Sequence, residues 1–154
     1  TRIRDLLQAG AMEEAALLLG RAYQLKGTVV RGSRRGGELG FPTANVLPPE
    51  GRVLPPDGVY VTCLRMGTQL WGAVTYIGTR PTFGTGARII ETYLLEGDPD
   101  LYGCEVGVVF HERLRGDQAF ESADALARQI AADVDRAREI LRRLSGATAR
   151  SMLS

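Results

Sequence analysis

From Tyr23 to Leu114 the chain repeats one pattern: a short run of β-branched and aromatic residues, then a turn built from glycine, proline and aspartate. Residues 23–30, 59–66, 70–77, 89–95 and 104–114 carry the strand signal, because branched and ring side chains suit a pleated, half-buried surface. Gly67-Thr68 is a tight turn, so the second and third runs predict a hairpin. Pro48-Pro49-Glu50-Gly51, Pro55-Pro56-Asp57-Gly58, residues 78–86 and Gly97-Asp98-Pro99-Asp100 read as loops. No helical period falls between the central strands, which disfavours a doubly wound parallel sheet. One helix follows, over about 122–144, where Leu126, Ile130, Val134, Ala137, Leu141 and Leu144 recur at three- and four-residue spacing. Ser122 can cap it, and Asp124 suits the positive end of its dipole. The expected fold is mostly β, a small antiparallel barrel with a helix packed outside, since closing a sheet removes its edges.

The flanks read differently. Residues 2–20 predict two short helical pieces, ending at Gly10 and Gly20. Residues 145–154 look frayed. The expected division is a helical linker over 1–20, a domain over 21–145 and a tail over 146–154. The first residue is Thr rather than Met, as expected of a processed product or of a piece cut from something longer.

Bulk properties exclude several function classes. At 154 residues the chain suffices for one domain with a real core. A net charge of +1 argues against a protein that coats nucleic acid. No apolar run approaches the roughly twenty residues of a membrane span. The only cysteines, Cys63 and Cys104, form no CxxC, and both read as buried thiols of a cytoplasmic protein. His111 is the only histidine, which excludes a multi-histidine metal site.

Chemistry concentrates in one stretch. Arg31-Gly32-Ser33-Arg34-Arg35-Gly36-Gly37 is followed by Leu39-Gly40-Phe41-Pro42-Thr43-Ala44-Asn45. Gly32, Gly36 and Gly37 can present backbone N–H groups to an anion, and Arg34 and Arg35 can pair with phosphate. The Thr43 hydroxyl and the Asn45 amide oxygen are hard ligands suited to Mg²⁺, which keeps waters and substrate phosphates in its shell. Plain surface turns have the same composition. Glu91 interrupts an otherwise apolar strand. It either points to solvent by alternation or acts as a desolvated general base for an attacking hydroxyl. Residues 114–120 bring a cation, Arg115, near an aromatic ring, Phe120. That pair would suit a flat ligand with polar edges, or Phe120 could staple the start of the helix.

In order along the chain, these pieces resemble the riboflavin kinase domain, which in bacteria is the C-terminal half of a bifunctional riboflavin kinase/FMN adenylyltransferase. The resemblance runs from about Gly20 to Leu144. It rests on the segment from Gly27 through Asn45, then on Ile77-Gly78-Thr79-Arg80-Pro81-Thr82-Phe83, Glu91-Thr92-Tyr93-Leu94-Leu95 and Asp100-Leu101-Tyr102-Gly103. Leu114-Arg115 with Phe120 and Ser122, and Gln129-Ile130-Ala131-Ala132-Asp133, complete it. Thr1-Arg2-Ile3-Arg4 resembles the close of the adenylyltransferase half, so the chain would be an excised kinase module with a linker remnant.

The resemblance implies a six-stranded Greek-key barrel with a C-terminal helix. It implies transfer of the γ-phosphoryl group of ATP to the ribityl 5′-hydroxyl of riboflavin, giving FMN and ADP, with no nucleic acid or membrane partner. Thr43 and Asn45 would bind Mg²⁺, and Thr43, Gly32, Gly36 and Gly37 would line the ATP phosphates. Glu91 would be the catalytic base. Arg115 and Phe120 would close over the flavin, with Leu94 as a further neighbour. Two positions depart from the family pattern: Tyr76 stands where asparagine is frequent, and Tyr93 where histidine is common. The alternative reading is a flavin-binding barrel without turnover.

Overall fold

The computed structural model describes residues 23–30, 42–79 and 88–153, with side chains of the helix to residue 145. The N-terminal helical pieces, the glycine–arginine run with Gly32, Gly36 and Gly37, and most of the 78–86 loop lie outside the described residues. Six strands form a closed antiparallel barrel. They are β1 (Tyr23–Val30), β2 (Thr43–Leu47), β3 (Gly58–Met66), β4 (Gln69–Thr79), β5 (Arg88–Leu94) and β6 (Glu105–Arg115), followed by helix α1 (Ala123–Leu153). Around the barrel the order is β1-β2-β5-β4-β3-β6, with β6 pairing back to β1.

The β3–β4 hairpin closes where the sequence predicts. Met66 pairs with Gln69, and Gly67 takes a φ of 60° at the first central position. That geometry belongs to a type II′ turn, whose twist matches the flanking strands.

Strand β2 is not evident from sequence pattern. It has five residues, a proline before it and two after it. Its ladders come from its neighbours: Val30 pairs with Asn45 on one side and Glu91 on the other. Pro42 has no N–H to give, but its carbonyl accepts from the Leu94 amide at 2.9 Å, which seats the start of the strand.

Alternation divides the wall into two faces. Leu25, Ala44, Val46, Tyr60, Leu64, Ile77, Ile90, Leu94, Val108 and Phe110 fill the interior, where Tyr60 and Phe110 meet edge to face at 5.3 Å. Three threonines share that interior: Thr75 Oγ1 lies 2.8 Å from Thr62 Oγ1 and 2.9 Å from Thr92 Oγ1. On the outer face, Val59, Val61, Val74 and Tyr93 pack against Ile130, Val134, Ala137 and Ile140 of α1. The helix comes so close that a Cβ at Gly72 would stand 2.9 Å from Leu141 Cδ1.

Ser122 caps the helix as expected, its Oγ accepting from the Ala125 amide at 3.1 Å. The apolar stripe is shifted from the sequence reading. Ile140 is buried and Leu144 is 40% exposed, because contact with the barrel ends near Leu141. The helix itself continues to Leu153, since the tail after Gly146 is rich in alanine and arginine, which favour helix. Cys63 and Cys104 are free and half-buried, not the buried thiols expected. Cys63 stands on the outer face, paired with Gly72, and the Cys104 backbone bridges a surface turn to β1.

Thr75→Val removes the middle hydroxyl of the interior chain and strips a partner from both Thr62 and Thr92. The expected loss is about 1–3 kcal/mol, read as a lowered urea midpoint. An unchanged midpoint would show that the hydroxyl chain adds nothing to stability.

Candidate active site

Register brings the candidate residues into one line. Asn45 pairs with Glu91, Glu91 with Tyr76, Tyr76 with Val59, and Val59 with Arg115. Directly paired residues in antiparallel strands point to the same face, with Cβ atoms about 4.5–5.5 Å apart. The five positions therefore form a row across β2, β5, β4, β3 and β6 on the outer wall. Thr43 and Tyr93 pair one step along on that face.

Glu91 has no exposed surface. Of the two readings left open by alternation, the structure selects the buried one. Asn45 beside it is 8% exposed, and its Oδ1 is buried with no hydrogen-bond partner. A buried amide oxygen left unpaired costs free energy unless something binds it. Beside the Thr43 hydroxyl and the Glu91 carboxylate, that oxygen completes a donor set of hard oxygens, which fits Mg²⁺. No cluster of three histidine, cysteine or acidic residues exists among the described residues. A divalent ion here would thus draw on few protein ligands, as Mg²⁺ does alongside substrate phosphates.

The far end of the row is differently built. Arg115 holds Asp133 of α1 through Nε at 3.2 and 3.1 Å and through a second guanidinium nitrogen at 3.0 Å. Gln129 donates to the same carboxylate at 3.0 Å. The Arg115 guanidinium carbon lies 5.5 Å from the centre of the Phe120 ring, within cation–π range. Arg115 and Phe120 are thus brought together, and the helix fixes the arginine's direction.

Leu94 does not join them. It is 2% exposed in the barrel interior, and alternation along β5 turns it away from the face that carries Glu91 and Tyr93. Arg115 is three strands from Glu91, about 14 Å along the wall at about 4.8 Å per strand.

Three residues of the site have no role in the sequence reading. Asp133 anchors Arg115, Tyr76 borders Glu91, and Asp117 accepts a hydrogen bond from the Tyr76 hydroxyl at 3.1 Å. Asp133 did leave a signal, being an acid inside the apolar stripe of the helix between Ile130 and Ala137. Asp117 left none, as a single acid in a polar loop. Burial pushes the Tyr60 phenol up to about 12 and the Cys63 thiol upward, and holds His111 below its usual range. None of these three belongs to the row.

Known proteins share this architecture. The family Flavokinase, described as riboflavin kinase, matches residues 19–141. A bifunctional riboflavin kinase/FMN adenylyltransferase from Pseudomonas fluorescens is 41% identical over 141 residues, covering 91% of this chain and 45% of that protein. The chain thus spans less than half the length of this relative. A Streptococcus pneumoniae structure described as a macrolide-efflux protein superposes with a TM-score of 0.82 and 34% identity, over 89% of this chain and 45% of that one. Riboflavin kinase from Trypanosoma brucei superposes with a TM-score of 0.55 and 25% identity, over 77% of this chain and 79% of that one.

Asp133→Ala leaves the Arg115 guanidinium without its carboxylate. With Asp133 at 6% and Arg115 at 19% side-chain exposure, the expected loss is about 2–4 kcal/mol, toward the lower end for solvent screening at the arginine. Chemical denaturation measures it. A change under about 0.5 kcal/mol, the size of an exposed pair, would mean that the contact contributes no more than a surface one.

Proposed function

Because the chain belongs to the riboflavin kinase family, we propose that it transfers the γ-phosphoryl group of ATP to the ribityl 5′-hydroxyl of riboflavin, producing FMN and ADP. The observation that carries this reading is the buried register pair of Asn45 and Glu91. It sets the unpartnered Asn45 amide oxygen beside a carboxylate withdrawn from water, which supports an ion-and-base pair at this place.

The residues divide the work along the row. Asn45 Oδ1 and the Thr43 hydroxyl would hold Mg²⁺, which when bound neutralises phosphate charge. Gly32, Gly36 and Gly37, which lie outside the described residues, would supply backbone N–H groups to the phosphates. The Glu91 carboxylate orients the 5′-hydroxyl and takes its proton as the new O–P bond forms and the bond to ADP breaks, the electron pair leaving with ADP. Arg115 and Phe120 hold the flavin ring at the far end. Most of the rate enhancement in phosphoryl transfer comes from such positioning and charge neutralisation. The FMN product would pass to an adenylyltransferase segment joined to this module, as in the bifunctional relatives. No helix among the described residues is long and apolar enough to cross a membrane, and we place the enzyme in the cytoplasm, where ATP is at hand.

The test is incubation with riboflavin, ATP and magnesium, with FMN followed by chromatography. Absence of FMN would leave a flavin-binding barrel without turnover. Glu91→Gln should retain both substrates and lose about 10²–10⁴-fold in rate; near-normal turnover would remove Glu91 from the chemistry. Asn45→Ala should weaken MgATP binding about tenfold, the effect of losing one ion-directed contact of about 1.5 kcal/mol, and should leave riboflavin binding in place. Calorimetry reads both affinities, and an unaltered MgATP affinity would count against the metal assignment.

A further inference from the structure

We infer that Tyr76 is a positioning residue for the flavin side of the site, acting through Asp117 as a latch on the segment that joins β6 to α1. The inference deepens the kinase reading above and rests on it.

Four observations carry it. Tyr76 is the direct cross-strand neighbour of Glu91 and lies between that residue and Arg115 in the row. Its ring does not stand off the wall but folds back along β4 over Gly78. A Cβ at Gly78 would lie 2.0 Å from the Tyr76 oxygen and 2.3 Å from the ring carbon that bears it. Only glycine leaves that seat open. The hydroxyl so placed donates to Asp117 Oδ2 at 3.1 Å. Asp117 belongs to residues 116–122, the segment that also carries Phe120, whose ring lies over Arg115.

The segment is therefore tied at two points. Arg115 fixes the chain at the segment's start through Asp133 of the helix, and the tyrosine hydroxyl fixes it two residues further on. Asp117 also accepts from the Gln118 amide at 2.9 Å through its other oxygen. Its carboxylate thus reads the local backbone and the barrel wall together. Loss of the tyrosine hydroxyl would free the segment from Asp117 onward while the Arg115 anchor stays. A bound ring system would then lose part of its enclosure. The phosphate side lies on β2, across Glu91 from Tyr76. The consequence is selective: flavin affinity depends on Tyr76, and MgATP affinity does not.

Steady-state kinetics of the whole chain with riboflavin, ATP and magnesium tests the inference. Tyr76→Phe should raise KM for riboflavin about 3- to 10-fold, the effect of one partly exposed hydrogen bond to a carboxylate, while KM for ATP moves less than twofold. Asp117→Ala should give the same change. Combined with Tyr76→Phe it should add nothing further, because each variant removes the same contact. Asp117→Asn keeps an acceptor oxygen and should recover most of the affinity. Asp117 lies in an exposed loop, so its variants remain informative if Tyr76→Phe lowers stability. Equal shifts in both KM values, additive effects in the double variant, or an unchanged riboflavin KM would each overturn the latch. A wild-type chain that makes no FMN would instead overturn the kinase reading.

Discussion

A carboxylate withdrawn from water on the outside of a barrel is the constraint around which the rest of this molecule is arranged. Burying an ionisable acid carries a large free-energy cost unless its surroundings answer it, and Glu91 has no exposed surface. Its position is set by ladders on both sides, since β2 and β4 both pair with β5 at that residue. A slip of one residue in β5 would turn Glu91 into the apolar interior and bring Ile90 or Thr92 to the outer face. The site and the fold therefore stand or fall on the same register.

The two faces of the wall have separate duties. The interior holds the barrel together through aliphatic and aromatic packing, with three threonines satisfying one another at the middle. The outer face is where α1 docks and where the row from Asn45 to Arg115 runs. The helix covers part of that face with apolar residues, and it contributes Asp133, which aims Arg115. One helix serves both ends: the side that buries Ile130, Val134 and Ala137 also carries the acid that orients Arg115.

Such a layout suits phosphoryl transfer. The reaction asks little covalent chemistry of the protein and much placement. On the proposed reading, a rigid wall with oxygen ligands at one end, a base beside them and a cation over a ring at the other would hold two substrates head to head. Strands place side chains more firmly than loops can, and the register pairs supply that firmness here. Residues 116–122 lie on a connection and not on the wall, apart from the ladders that fix Glu91.

Local chemistry was legible before any coordinates. Strand runs, the Gly67-Thr68 turn and the Ser122 cap all follow from short-range pattern, because turn geometry, capping and alternation depend on neighbours in sequence. Strand β2 was not legible, since five residues between prolines become a strand only when β1 and β5 offer them ladders. The environment of Glu91 was not legible either. Alternation says which face a residue takes, but not whether that face is covered, and the cover comes from parts of the chain remote in sequence. The same limit misplaced Leu94, near the base in sequence yet on the opposite side of its strand. Sequence alone determined five of the six strands, the helix and the family; the tertiary structure alone decided where β2 forms, which acid is hidden and what holds Arg115, because burial and register arise from contacts between distant segments.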